Sequence, residues 1–256
     1  MIGGSLRRIG VSARLVARDL ARNRVAVALL VVIPIVFYGL VAATTGDRDI
    51  VFELAAGGRR LLTENERHLS LLFIGMVSIS GLSAFLAFVL VLRPLGADRR
   101  LAFEGYRPVE LLLAKVCVML AVAVAVALYV TALLPIFFRP ARAAGVFLGF
   151  LSTSFVYATF GMVIGAVVRR ELEGIMLILL LVNIDAGWLQ SPVFYAHARN
   201  QALIRLLPGH HPAQITMVSA FTTLALRPEI VAAVEYALGG LVAAAGLYWL
   251  RVRVRA

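Results

Sequence analysis

Residues 93–115 read RPLGADRRLAFEGYRPVELLLAK, a polar interruption between two apolar runs that are each long enough to cross a bilayer. Arg93, Arg99, Arg100, Arg107 and Lys115 outnumber Asp98, Glu104 and Glu110, and a basic excess beside a span predicts a cytoplasmic loop. Pro94, Gly96 and Gly105 break the stretch, and Pro108-Val109-Glu110 restarts a helix with proline and an acid in its first turn. Such a loop is more ordered than a plain connector and reads as a docking surface.

Working outward, the composition agrees with a membrane protein. The 256 residues are 61% hydrophobic and 15% charged, with a mean hydropathy of +0.92, more apolar surface than a soluble domain of this size can cover. The net charge of +11 does not point to nucleic acid, because the arginines flank apolar runs instead of lining one solvated face. One cysteine, Cys117, lies inside an apolar run, which excludes an internal disulfide and a cysteine metal cluster.

Towards the amino end, residues 69–92 form a second span with small residues at Gly75, Ser78, Gly81 and Ala84. Residues 44–68 are polar and nearly neutral, an external loop. Residues 25–43 form the first span, with Pro34 tolerated among neighbouring helices. Residues 1–24 carry six arginines and one acid, with Leu6, Ile9, Ala13, Val16 and Leu20 at steps of three and four, which predicts an amphipathic helix on the inner surface. The basic segment is too long, and the following run too apolar, for a signal peptide.

Towards the carboxyl end, residues 111–138 form a third span and Arg139-Pro140-Ala141-Arg142 an external turn. The fourth span, 143–168, places Gly145, Gly149, Gly161 and Gly165 at multiples of four, which suits close helix packing within one bundle or between two copies. Ser152, Thr153, Ser154, Tyr157 and Thr159 make this span polar enough to bond across helices or to line a translocation path. After the turn at Arg169-Arg170-Glu171, residues 174–189 are short for a full crossing, and 190–229 read as an extracellular re-entrant region. Residues 230–250 form the last span, and Arg251, Arg253 and Arg255 a cytoplasmic tail. Sixteen basic residues then fall inside and nine outside, with both termini cytoplasmic. The expectation is one all-α membrane domain of six spans, 1–256, in a bacterial plasma membrane.

The chain has no GxxxxGK[ST] phosphate loop and no HExxH helix. His210-His211 precedes Pro212 and is read as a solvated or interfacial loop. Ser83 lacks a histidine in the last span that would make it a nucleophile, so core packing is expected there. Asp185 and Glu235 fall at membrane depth and are either functional acids or structural ones with a partner such as Arg199 or Arg205.

Arg100-Leu101, then Pro108-Val109-Glu110-Leu111-Leu112-Leu113-Ala114-Lys115, resembles the basic turn, short helix and E-L-L-x-G/A-K start of the third span in the type-2 family of ATP-binding-cassette exporter permeases. The similarity of layout covers nearly the whole chain, although Glu104-Gly105 stands where that family usually has Thr-Pro. The resemblance implies that 98–110 is a coupling helix seated on a separate ATPase through Asp98, Arg99, Arg100, Glu104, Arg107 and Glu110. It also implies a second permease subunit, identical or not, and an outer gate in 190–229 with Pro208 or Pro212 near the recurring proline of the family. ATP and Mg belong to the partner, and this chain is expected to bind no cofactor or metal and to catalyse nothing. The expected cargo is a hydrophobic or amphipathic small molecule such as a drug or antibiotic, with Ser152, Thr153, Tyr157 and Asp185 on its path. Lipid or lipid-linked glycan export by the same machinery, and an ion-coupled secondary carrier or an intramembrane enzyme using Asp185 or Glu235, are the alternatives.

Overall fold

The computed structural model describes residues 2–56 and 60–253; Arg59 and Arg255, counted above among the loop and tail charges, lie outside them. Among the described residues, six helices are long and apolar enough to cross a membrane. They are α2 (Arg24–Thr44), α3 (Glu66–Leu92), α5 (Pro108–Leu133), α6 (Ala143–Val167), α7 (Glu171–Ile184, continued to Leu189) and α11 (Arg227–Arg253). The protein is a helical, multi-pass membrane protein.

Helix α6 is the centre of the bundle, packed against α3, α5 and α11 and against a shorter helix, α10 (His210–Phe221). Its glycines explain why. Gly145 and Gly149 lie against Ser219 and Thr216 of α10, while Gly161 and Gly165 lie against Ala84 and Phe88 of α3. All four thus pack inside one chain, two for each neighbour, which is the within-bundle reading of the two. A Cβ at Gly161 would run into the Ala84 carbonyl, which is backbone and cannot swing aside. Gly161→Ala is therefore expected to lower stability by about 1–3 kcal/mol, the cost of overpacking. Gly39→Ala, with nothing within 4 Å of the added carbon, should be neutral or slightly stabilising. Thermal unfolding of both variants in one detergent checks the difference, and equal midpoints would refute the tight crossing.

The fifth span is longer than its apolar run. It begins at Glu171, where Glu171 and Glu173 sit favourably in the first turn, and it continues through a wider turn at Asp185–Leu189. The 19 residues of Glu171–Leu189 extend about 28 Å, enough for a crossing.

One small element joins the helices. Residues 49–65 form an antiparallel hairpin, β1 (Asp49–Leu54) with β2 (Arg60–Asn65), in which Phe52 faces Leu62 and Asp49 faces Asn65. Ile50, Phe52 and Leu54 alternate with Asp49, Val51 and Glu53, so one face is apolar, and Phe52 and Leu54 are fully buried. The hairpin folds onto α10: the Phe52 ring meets Phe221 edge-on at 5.9 Å, and the Ala56 N–H donates to Gln214 Oε1 at 3.1 Å.

Residues 190–229 hold α8 (Pro192–His197), α9 (Gln201–Arg205) and α10, none of which is long enough to span. Helix α10 is buried almost all round. Its end carbonyls find donors in the 139–142 turn, where Ala141 N–H reaches Ala220 O at 2.8 Å and Arg142 N–H reaches Ser219 O at 2.9 Å. His210 and His211 begin α10 and do not lie in a solvated loop; Pro212 is accommodated because a first-turn N–H has no helical acceptor.

Candidate functional site

The stretch between the second and third spans folds into α4 (Leu95–Phe103), a tight turn, and the start of α5 at Pro108. Gly105 sets the turn with φ of +93°, which glycine adopts without a Cβ penalty. Its N–H donates to Ala102 O at 3.2 Å, and that of Tyr106 to Leu101 O at 3.0 Å, closing the helix end. Where one helix was expected over 98–110, the chain instead forms α4 over Leu95–Phe103 and ends it at Glu104-Gly105.

Two attachments hold this elbow. The first is buried. Asp98 Oδ2 accepts from the Lys115 ammonium and, at 2.8 Å, from the Tyr248 hydroxyl of α11, with all three residues at most 5% exposed. Lys115 is the only lysine in the chain, and its Nζ also lies 5.1 Å from the Tyr248 ring centroid. Next to it, Arg99 donates to Arg251 O at 3.1 Å, and Arg251 in turn donates to Gly165 O of α6 at 2.8 Å. The elbow is thus tied to three spans at once.

The second attachment is α1 (Ile2–Arg22), joined to α2 at Asn23, whose side chain caps the new helix by accepting the Ala26 N–H at 3.2 Å. Ile9, Ala13, Val16 and Leu20 of the apolar stripe are half-buried as expected, but Leu6 is 66% exposed. Ser5 donates to Glu110 Oε1 at 2.6 Å, Arg8 donates to Gly105 O at 3.1 Å, and the Arg8 guanidinium lies 5.3 Å from the Tyr106 ring centroid. Glu110 also accepts the Arg107 N–H at 3.4 Å, capping α5.

Of the six residues expected to touch a partner, Asp98 and Glu110 are buried and committed internally, and Arg99 is turned onto α11. Arg100, Glu104 and Arg107 remain exposed, and Phe103, 73% exposed, and Val109, 52% exposed, join them. Neither the family models nor the curated proteins match this chain.

A second polar cluster lies near the other end. Asp185 is 2% exposed and accepts from Tyr157 Oη at 2.7 Å and the Gly209 N–H at 2.9 Å on one oxygen, and from Gln190 Nε2 at 2.9 Å on the other. The wider turn aims it there, for the Gln190 N–H reaches back five residues to Asp185 O at 3.0 Å. Gln190 Oε1 lies 3.3 Å from His210 Nδ1, and burial, with His211 beside it, pushes the His210 imidazole down to about 4, so it is neutral at pH 7. The partners of Asp185 are neutral; Arg205 instead donates to Tyr195 Oη at 3.0 Å, which corrects the expected ion pair.

The other path residues stay apart from this cluster. Thr153 and Ser152 bond back to Gly149 O, both at 2.9 Å, and only Ser152 borders a groove, of about 230 Å³, with Leu148, Phe155 and Val234. Ser83 and Ser154 share a 2.7 Å hydrogen bond in the core. Glu235 is exposed on α11. Among the described residues no group of three His, Cys, Asp or Glu is placed to hold a metal.

Proposed function

We propose that this chain is the non-catalytic membrane subunit of an ATP-driven exporter of hydrophobic or amphipathic small molecules, working with a separate ATPase and a second permease subunit. The observation that carries this reading is the elbow. A nine-residue helix between two spans presents an outward surface of Arg100, Phe103, Glu104 and Arg107, while its inner side is fixed to α5 and α11 through Asp98. A partner that displaces such a lever moves the spans attached to it. An aromatic side chain ringed by charges of both signs is also the composition expected of a protein contact.

The exporter reading is tested by solubilising native membranes in mild detergent after crosslinking and asking whether an ATPase is recovered with the chain. Recovery should fall on the order of tenfold when Phe103→Ala is combined with Arg100→Glu and Glu104→Arg. A chain recovered without an ATPase, or an ATPase retained equally by the triple variant, refutes the docking surface proposed here.

A further inference from the structure

A cleft of about 790 Å³ lies beside the elbow, between α1–α2 on one side and α3–α5 on the other. Its wall changes character at Asn23, where the amphipathic α1 gives way to the apolar α2. Along α1 it is lined by Ser12, Asp19 and Arg22, along α2 by Leu29, and on the facing α3 by Phe85 and Val89. A helix lying at the surface that turns into one crossing the membrane places the headgroup boundary at their junction. An occupant of this cleft therefore has its polar part at Asp19 and Arg22 and its apolar part along α2 and α3.

The charges narrow the class. Lys115 and Asp98 border the cleft but neutralise each other, and Arg93 at the opposite rim holds Glu171 at 2.7 Å. Asp19 and Arg22 remain, one turn apart on α1, exposed and without a side-chain partner among the described residues. The unmatched pair is one anion and one cation, which complements a zwitterion better than a simple anion. We infer that the cleft binds a phospholipid with a primary ammonium headgroup, its phosphate at Arg22, its ammonium at Asp19, and its acyl chains against Leu29, Phe85 and Val89. A choline headgroup lacks the N–H donors for Asp19, and a glycerol headgroup lacks the cation.

The test uses the full chain in nanodiscs of equal parts phosphatidylethanolamine, phosphatidylglycerol and phosphatidylcholine, released into native mass spectrometry with the retained lipids counted. Phosphatidylethanolamine should be retained about fivefold over either of the other two lipids, Asp19→Asn should abolish that preference while leaving phosphatidylglycerol unchanged, and Arg22→Gln should lower retention of both. Both side chains are exposed, so unfolding midpoints should match the parent, and Leu29→Trp, which fills the apolar half, should release the lipid with the charges intact. Soluble phosphoethanolamine should not compete, since it lacks the acyl chains; competition at millimolar levels would show a headgroup site independent of lipid and overturn the proposal. Equal retention of the three lipids, or a preference unchanged in Asp19→Asn, would overturn it as well.

Discussion

Lys115→Met is expected to destabilise the protein by about 3–5 kcal/mol, because it leaves the Asp98 carboxylate buried without its cation. The pair itself need not be stabilising. Desolvating both charges costs much of what their attraction returns, so the double replacement Asp98→Leu with Lys115→Met should recover most of the loss. Lys115→Arg should fall between, since a planar fork does not fit where one compact ammonium points at one oxygen. Unfolding midpoints in one detergent at a fixed scan rate give the ranking. A single variant no less stable than the double would sink the idea of a buried, obligatory pair. On the exporter reading the double variant has a further consequence: it folds but has lost the polar joint between α4 and α11, so an ATPase still docks while transport per ATP falls. Stability and coupling are thereby separated in one pair of variants.

The sequence carried the spans because each is an apolar run bounded by arginines, prolines or glycines, and the observed helices agree with those limits to within a few residues. Two elements were hidden for different reasons. The hairpin was legible in principle: D-I-V-F-E-L alternates with period two, but its polar, charge-balanced setting made it look like a connector. The true length of the fifth span was obscured because Glu171 and Glu173 look like loop residues, whereas a helix amino terminus favours them. At the elbow, sequence separates residues by type and not by direction. Asp98, Arg99 and Glu110 are as charged as Arg100, Glu104 and Arg107, yet the first three turn inward. A lone lysine in an apolar run was the available sign of a buried pair. Tyr248, 150 residues beyond Asp98, could be joined to it only by the fold. Gln190, Gly209 and His210 were missed likewise, since an amide, a backbone N–H and an imidazole become partners of Asp185 only once α10 folds back into the bundle.

Asp185→Ala should cost several kcal/mol, for it takes the acceptor from three buried donors at once, Tyr157 Oη, Gln190 Nε2 and the Gly209 N–H, at about 1–3 kcal/mol each before relaxation. Asp185→Asn should cost far less. Its amide oxygen still serves Tyr157 and Gly209, and its NH₂ meets Gln190, whose own amide can turn to present oxygen. The turned Gln190 then offers NH₂ to His210 Nδ1, and a neutral imidazole accepts there by carrying its proton on Nε2. The network thus tolerates a neutral residue of the same shape, and hydrogen exchange across 190–221 should rise sharply in the alanine variant and little in the asparagine one. A carboxyl that carries protons or acts as an acid or base gives the opposite pattern: asparagine retains the fold and abolishes turnover as completely as alanine does. Tyr157→Phe adds a check, because it removes one of the three donors and leaves the carboxylate in place. If Asp185 is a brace that ties α7 to the fold-back of α8–α10, the order of stability runs from parent through Tyr157→Phe and Asp185→Asn down to Asp185→Ala. On the exporter reading, transport should follow that same order, because what fails is the position of α10 against the glycines of α6 and not a chemical step.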